Sequence, residues 1–335
     1  DTDRRGAELR EHQAFLSVGH DEYWSNQQRV NVEAARGVGV DLGFFSGNEV
    51  YWKTRWENAI DGTGTPYRTL VTYKETWANA KIDPNPAWTG TWRDPRFSPP
   101  SDGGRPENQV TGTIFQVDSY RTDTIPVPPA DGKMRFWRDT PIANLADGQT
   151  ATLTSNVLGY EWDEDRDNGF RPPSAIKLST TSLGVSQYLL DYGNTTGAGQ
   201  ATHNLALSRH PSGALTFGAG TTRWSWGLDS DHINEASTPD PRMRQATVNL
   251  FADMGIQPGS LQAGLIRASA STDTTKPTTT IVTPAAGTSI HAGTSVTITG
   301  TASDVGGRVG GVEVSVDSGT TWRPARGREN WSYNW

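Results

Sequence analysis

The sequence predicts an α/β domain built on a parallel sheet with added β-strands and long loops, followed by a smaller all-β module. Three observations carry this. Two strand–turn–helix units open the chain, a well-capped helix closes the larger region near residue 255, and a Thr-rich stretch then precedes alternating strands.

The first unit starts with residues 14–18 (AFLSV), an apolar run of strand length that ends in Gly19-His20-Asp21-Glu22-Tyr23-Trp24. Ser25 supplies an N-cap for a helix over 26–36, with Val30 and Ala34 on its inner face and Gly37 as C-cap. A second run, 40–45 (VDLGFF), ends in Ser46-Gly47-Asn48-Glu49-Val50-Tyr51-Trp52. Strand, helix and strand with short links predict a right-handed parallel unit. Residues 61–110 concentrate Pro and Gly around Trp77, Trp88 and Trp92, and read as a long ordered excursion. Strand-like runs follow at 109–117, 151–160, 174–179 and 214–217. Asp240 and Pro241 open the last helix and Gly255 closes it.

These signals divide the 335 residues into a domain over 1–258, whose start reads as mid-protein, a linker over 259–279, and a module over 280–335. Residues 268–279 (ASASTDTTKPTT) are small and polar, as linkers are. The strands after them include a hairpin over 311–322 with a Ser318-Gly319 turn. They resemble the Ig-like modules appended to secreted bacterial proteins, which predicts an extracellular location. The region is shorter than the ~100 residues of a complete sandwich, so a partial module is expected.

Composition removes several classes of function. The net charge of −7 is mild and no Lys/Arg tract exists, so a nucleic-acid partner is not expected. No apolar stretch approaches the ~20 residues of a transmembrane helix. Cysteine is absent, which eliminates disulfides, thiolate metal sites and a Cys nucleophile together.

Tyr23 and Tyr51 stand out because each lies a few residues past the carboxyl end of a predicted parallel strand. Ligands of open α/β sheets bind at that end, and adjacent strands lie about 4.8 Å apart. Two phenols there can converge on one ion, or they can be packing residues beside Trp24 and Trp52. The segment 159–169 (GYEWDEDRDNG) delivers Glu161 at the end of a strand-like run. It reads as a carboxylate ligand at Glu161, as a calcium loop using Asp163, Asp165 and Asp167, or as a solvated turn. The calcium pattern is imperfect, since Ser174 stands where an EF-hand has its Glu.

The motifs SVGHDEYWS (17–25), FFSGNEVYWKTRW (44–56), GYEWDEDRDNGFRP (159–172) and GALTFGAGTTRWSWGLDSDH (213–232) resemble the large (beta) subunit of N,N-dimethylformamidase, in order and over roughly residues 1–258. The resemblance implies a glutamine-amidotransferase-like α/β sheet without that superfamily's nucleophilic Cys. It also implies a mononuclear ferric iron held by Tyr23, Tyr51 and Glu161. Three anionic oxygen donors suit a hard trivalent ion, and the bound cation favours phenolate over phenol. Such an ion can polarise an amide carbonyl, so hydrolysis of a formamide to formate and an amine is the implied reaction.

The chain departs from the amidase in having Gly159 where a histidine is expected two residues before the ligand glutamate. His20, Asp229 and His232 are then the candidates for a general base. Asn48 and Arg55 are either substrate contacts or loop anchors. The resemblance further implies a small helical partner subunit, and the Ig-like tail suggests either a small amide substrate or a larger extracellular polymer. A second reading, from a different class, is an extracellular carbohydrate- or cell-wall-binding module with a structural metal or none.

Overall fold

The computed structural model describes residues 2–97, 102–232 and 238–335. Strands β1 (Ala14–His20) and β2 (Tyr23–Ser25), helix α1 (Asn26–Gly37) and strand β3 (Asp41–Gly47) follow in turn. β1 and β3 pair in parallel, from Ala14 opposite Asp41 to His20 opposite Gly47. Every residue of β3 is buried, as its unbroken apolar run requires.

The Ser25 hydroxyl caps α1 by accepting from Gln28 N–H at 3.1 Å. The inner face differs from the predicted one. Arg29, Val32 and Ala35 are buried, whereas Val30 is exposed. Arg29 can be buried because its guanidinium donates to Arg105 O and Pro106 O, pairs with Glu33 and stacks over Trp92. The helix also runs through Gly37, and the left-handed residue that ends the turn is Gly39 (φ +104°).

Strands β4 (Trp52–Glu57) and β5 (Thr69–Val71) lead into the excursion, of which residues 98–101 lie outside the described residues. Trp88 and Trp92 anchor it as fully buried side chains. Strands β6 (Ile114–Asp118), β7 (Glu161–Glu164), β8 (Ile176–Lys177), β9 (Thr181–Leu189), β10 (Thr196–His203), β11 (Ala206–Arg209) and β12 (Leu215–Gly218) complete the sheets. The runs predicted at 109–117 and 174–179 are therefore shorter strands, and 151–160 gives only the strand Ala151–Thr152 and an isolated bridge from Leu158 to Asp123.

The central sheet has the order β1-β3-β12-β11-β8. Parallel pairing is confined to β1, β3 and β12, and the other two strands are antiparallel. The reason is local: residues 210–214 are too few for a crossover, so β11 and β12 must form a hairpin. The architecture is thus mixed α/β. β6, β7, β9 and β10 close a second sheet into a small barrel. Helix α2 (Pro241–Asp253) is capped by Asp240, which accepts from Arg242 N–H at 2.9 Å, and presses Met243, Ala246 and Leu250 into the main core. Gly255 (φ +74°) closes it as expected.

The C-terminal region is all-β. Strands β13 (Thr278–Thr283), β14 (Thr297–Ser303), β15 (Glu313–Val314), β16 (Arg323–Pro324), β17 (Arg326–Gly327) and β18 (Asn330–Asn334) form one four-stranded and one two-stranded sheet over buried Trp331. The predicted hairpin pairs β15 with β16, and Ser318 and Gly319 both take positive φ at its turn. This module is docked on the larger domain. Arg328 bonds to Asp131 and to the carbonyls of Ala130 and Lys177, while Arg171 reaches Glu313 and Arg323 reaches Asp167. The first half of the linker is pinned too: Gln245 holds Ile266, and Arg138 holds Ser269 O. Among the described residues no helix is long and apolar enough to cross a membrane.

Candidate active site

Beyond His20 and Gly47 the two chain segments stay together. Tyr51 N–H and Trp52 N–H both donate to Glu22 O, and β2 then pairs in parallel with β4, setting Tyr23 opposite Trp52. Both tyrosines therefore stand past the carboxyl ends of adjacent parallel strands. The loop that delivers Tyr51 is strained. Asn48 (φ +49°) and Val50 (φ +54°) are both left-handed, and a β-branched residue rarely is. Asn48 N–H donates to Asp163 Oδ1 at 3.0 Å, which ties this loop to β7, the strand that begins with Glu161.

Glu161 is the hub. His20 Nε2 lies 2.9 Å from its Oε2, and the Tyr160 hydroxyl lies 3.1 Å from the same nitrogen. The His20–Glu161 contact is a close ion pair at a buried carboxylate oxygen. The Glu161 carboxylate raises the His20 pKa, against the opposing pull of burial. Asp118 faces Glu161 directly across the β6–β7 ladder. Burial, then the Glu161 charge, raises the pKa of both Asp118 and Glu22. Asp118 and Glu22 thus sense the Glu161 charge.

Tyr51 is 4% exposed and packs among Trp52, Phe115 and Leu189, with the Arg93 guanidinium over its ring. Burial raises its pKa well above the ordinary value for a phenol. Its hydroxyl lies so close to Gly193 that a Cβ there would overlap it. Tyr23 is 37% exposed, with the Lys74 ammonium 5.3 Å from its ring centre. The structure therefore brings His20 and Glu161 into contact, sets Tyr23 against Lys74, and places Tyr51 in an aromatic recess beside Gly193.

His232 joins this group indirectly. It stacks on Trp226 at 4.2 Å, Arg223 lies over both Trp226 and Tyr160, and Tyr160 meets His20. Asp229 is exposed and accepts from Asp231 N–H, which lowers its pKa. Arg244 and His232 lower it further. Arg55 pairs with Glu57 and Asp83, so it is a loop anchor. Asn48 anchors its loop through the backbone as well. The calcium expectation is corrected: Asp163 accepts from Asn48 and Thr113, Asp165 pairs with Arg171, and Asp167 pairs with Arg323. These carboxylates point to separate partners. At Gly159 a side chain would overlap the Thr222 hydroxyl and press on Arg223, so a histidine there would require both side chains to shift.

Tyr160, Glu22 and Asp118 were not singled out from sequence. The first two adjoin motif residues and were within reach of it. Asp118 becomes visible only once β6 and β7 are known to pair.

The family described as N,N-dimethylformamidase beta subunit-like, C-terminal, matches residues 1–238, which include His20, Tyr23, Tyr51 and Glu161. The chain belongs to this family. A bacterial Ig domain matches residues 277–335, the module built around Trp331. No curated relative matches the chain. The dimethylformamidase-like family points to an amide hydrolase and, as a beta subunit, to a partner chain. Among the described residues no three His, Asp or Glu side chains gather closely enough to share an ion.

Proposed function

We propose that the chain hydrolyses C–N amide bonds of the formamide type, using one ferric ion held by Tyr23, Tyr51 and Glu161. The observation that carries this reading is the acidic character of the Glu161 end of β7. Asp118 stands opposite Glu161, and burial together with the Glu161 charge raises the pKa of Asp118 and Glu22. Like charges facing across a ladder destabilise a sheet unless a cation joins them. Bound there, ferric iron would supply Lewis acidity toward the amide carbonyl.

The chain's own residues handle the proton. With Nε2 held by Glu161 and Tyr160, His20 takes it from the attacking water through Nδ1 and returns it to the leaving amine nitrogen, giving formate and amine. Glu161 raises its basicity, and the Tyr160 hydroxyl fixes the ring. The three parallel strands are the part of the sheet consistent with a glutamine-amidotransferase-like scaffold. A small helical subunit is the proposed partner, and the Ig module supports secretion as the proposed location.

Metal analysis with a visible spectrum tests the reading. One iron per chain and a phenolate charge-transfer band are expected, and Tyr51→Phe should weaken the band while the fold stays intact. His20→Gln should lower kcat by roughly 10²- to 10⁴-fold, the usual contribution of a general base. A colourless protein after reconstitution with ferric iron would overturn the iron assignment.

A second reading rests on a cleft of about 1060 Å³ where the Ig module meets the larger domain, lined by Phe170, Trp322, Arg36 and Arg209. Both aromatic side chains are exposed, as a carbohydrate- or cell-wall-binding groove requires. Calcium or no metal, together with retention on a polymer column, would favour it.

A further inference from the structure

Lys74 is placed with unusual care for a surface lysine. Its backbone is left-handed (φ +48°), and the next residue, Glu75, is fully buried. The Glu75 carboxylate accepts from Ile82 N–H, Asp83 N–H and Thr89 N–H, each at 2.8 Å. Trp77 N–H closes the turn on Lys74 O at 2.8 Å. Strain held this firmly is a common mark of a ligand clamp.

The side chain ends in an aromatic cage. Its ammonium lies 4.4 Å from the ring centre of Trp77, 4.9 Å from Trp52 and 5.3 Å from Tyr23. Three rings hold a cation well, but they accept none of its N–H bonds in the plane where a carboxylate would. Among the described residues Lys74 Nζ has no ion pair or hydrogen-bond acceptor; Glu22 feels its charge without being bonded to it. The ammonium therefore retains donor capacity at the mouth of the site. The cage is continuous with the site: Tyr23 is one of its walls, and Trp77 Nε1–H donates to Gly193 O, beside the Tyr51 hydroxyl.

We propose that Lys74 sets the specificity of this site by binding a carboxylate on the substrate, selecting amides of the N-formyl amino acid kind. This rests on the amidase reading for the reaction, though not for the binding. A neutral dialkylformamide leaves the ammonium without an acceptor. A formyl amino acid places its carboxylate two bonds from the amide nitrogen, so one end can meet Lys74 while the carbonyl faces Glu161 and His20. Hydrolysis would then give formate and the free amino acid.

The test is a fluorescence titration of the full chain, since Trp52 and Trp77 touch Lys74. N-formylglycine and neutral N-ethylformamide are the probes, against wild type, Lys74→Gln and Lys74→Arg. Wild type should bind N-formylglycine about tenfold or more tightly than N-ethylformamide, the scale of a charge-assisted hydrogen bond. Lys74→Gln should erase that difference by weakening N-formylglycine alone, and Lys74→Arg should restore most of it. Preferential binding without turnover supports the role of Lys74 while removing the amidase reading. Hydrolysis of both probes with equal KM, unchanged in Lys74→Gln, overturns the role and leaves the amidase reading standing. Equal binding of the two probes, no binding of N-formylglycine, or a Lys74→Gln variant altered only in thermal stability also overturns it.

Discussion

His203 is completely buried, with Nε2 2.9 Å from Ala219 O and Nδ1 without a partner. Burial pushes its pKa down to about 4 from 6.5. The unfolded chain therefore binds this proton first. Its contribution to stability is intact above about pH 6.5, falls as pH drops toward 4, and levels off below. The loss is on the order of 3 kcal/mol. Urea melts at pH 7, 5.5 and 4.5 should show it, and His203→Gln, which can still donate to Ala219 O, should flatten that acid limb. Gly193→Ala is the second single-residue test. The added Cβ meets the Tyr51 hydroxyl at a backbone φ of +122°. Overpacking of this kind costs about 1–3 kcal/mol, so the denaturation midpoint should fall. An unchanged midpoint would mean that the 190–195 turn yields.

At the scale of elements, what was legible was what is local. Ser25 and Asp240 are caps in the structure as in the sequence. Ser25→Ala should cost about 1 kcal/mol, read as a lower thermal midpoint. The pairing of β1 with β3 also followed from a short-range pattern. The inner face of α1 did not, because burying Arg29 depends on carbonyls near residue 105 that no helical periodicity reveals. The barrel was hidden for a similar reason: it joins β6 to β7 across more than forty residues, and neither strand alternates clearly. Asp118, which faces Glu161 only through that pairing, was hidden with it. His20 ends β1 as the sequence suggested, whereas Glu161 opens β7 instead of ending a strand, because the run before it is mostly loop.

At the scale of the molecule, composition misjudges the junction between the two parts. Small polar residues over 268–279 suggest free motion, yet Ile266 and Ser269 are held by Gln245 and Arg138, and the module beyond is clasped by Arg328. Backbone carbonyls do this work, and composition cannot register them. Arg328→Ala should loosen the module by removing its bonds to Asp131 and to the Ala130 and Lys177 carbonyls. Limited proteolysis should then cut within 270–277 faster than in wild type, with the larger domain surviving as a fragment. An unchanged cleavage rate would assign the docking to Arg171 and Arg323 instead.

The Glu161 charge that Asp118 and Glu22 sense bears on how the protein is made. A chain that folds before it meets a cation keeps that repulsion, whereas a cation bound to the folded state alone would stabilise it by mass action. Differences of about 1–2 kcal/mol alter cellular abundance several-fold, because proteases remove the transiently unfolded fraction. Cells short of the ion would then hold less of the protein as well as less of its activity, and the site would act as a checkpoint on its own supply.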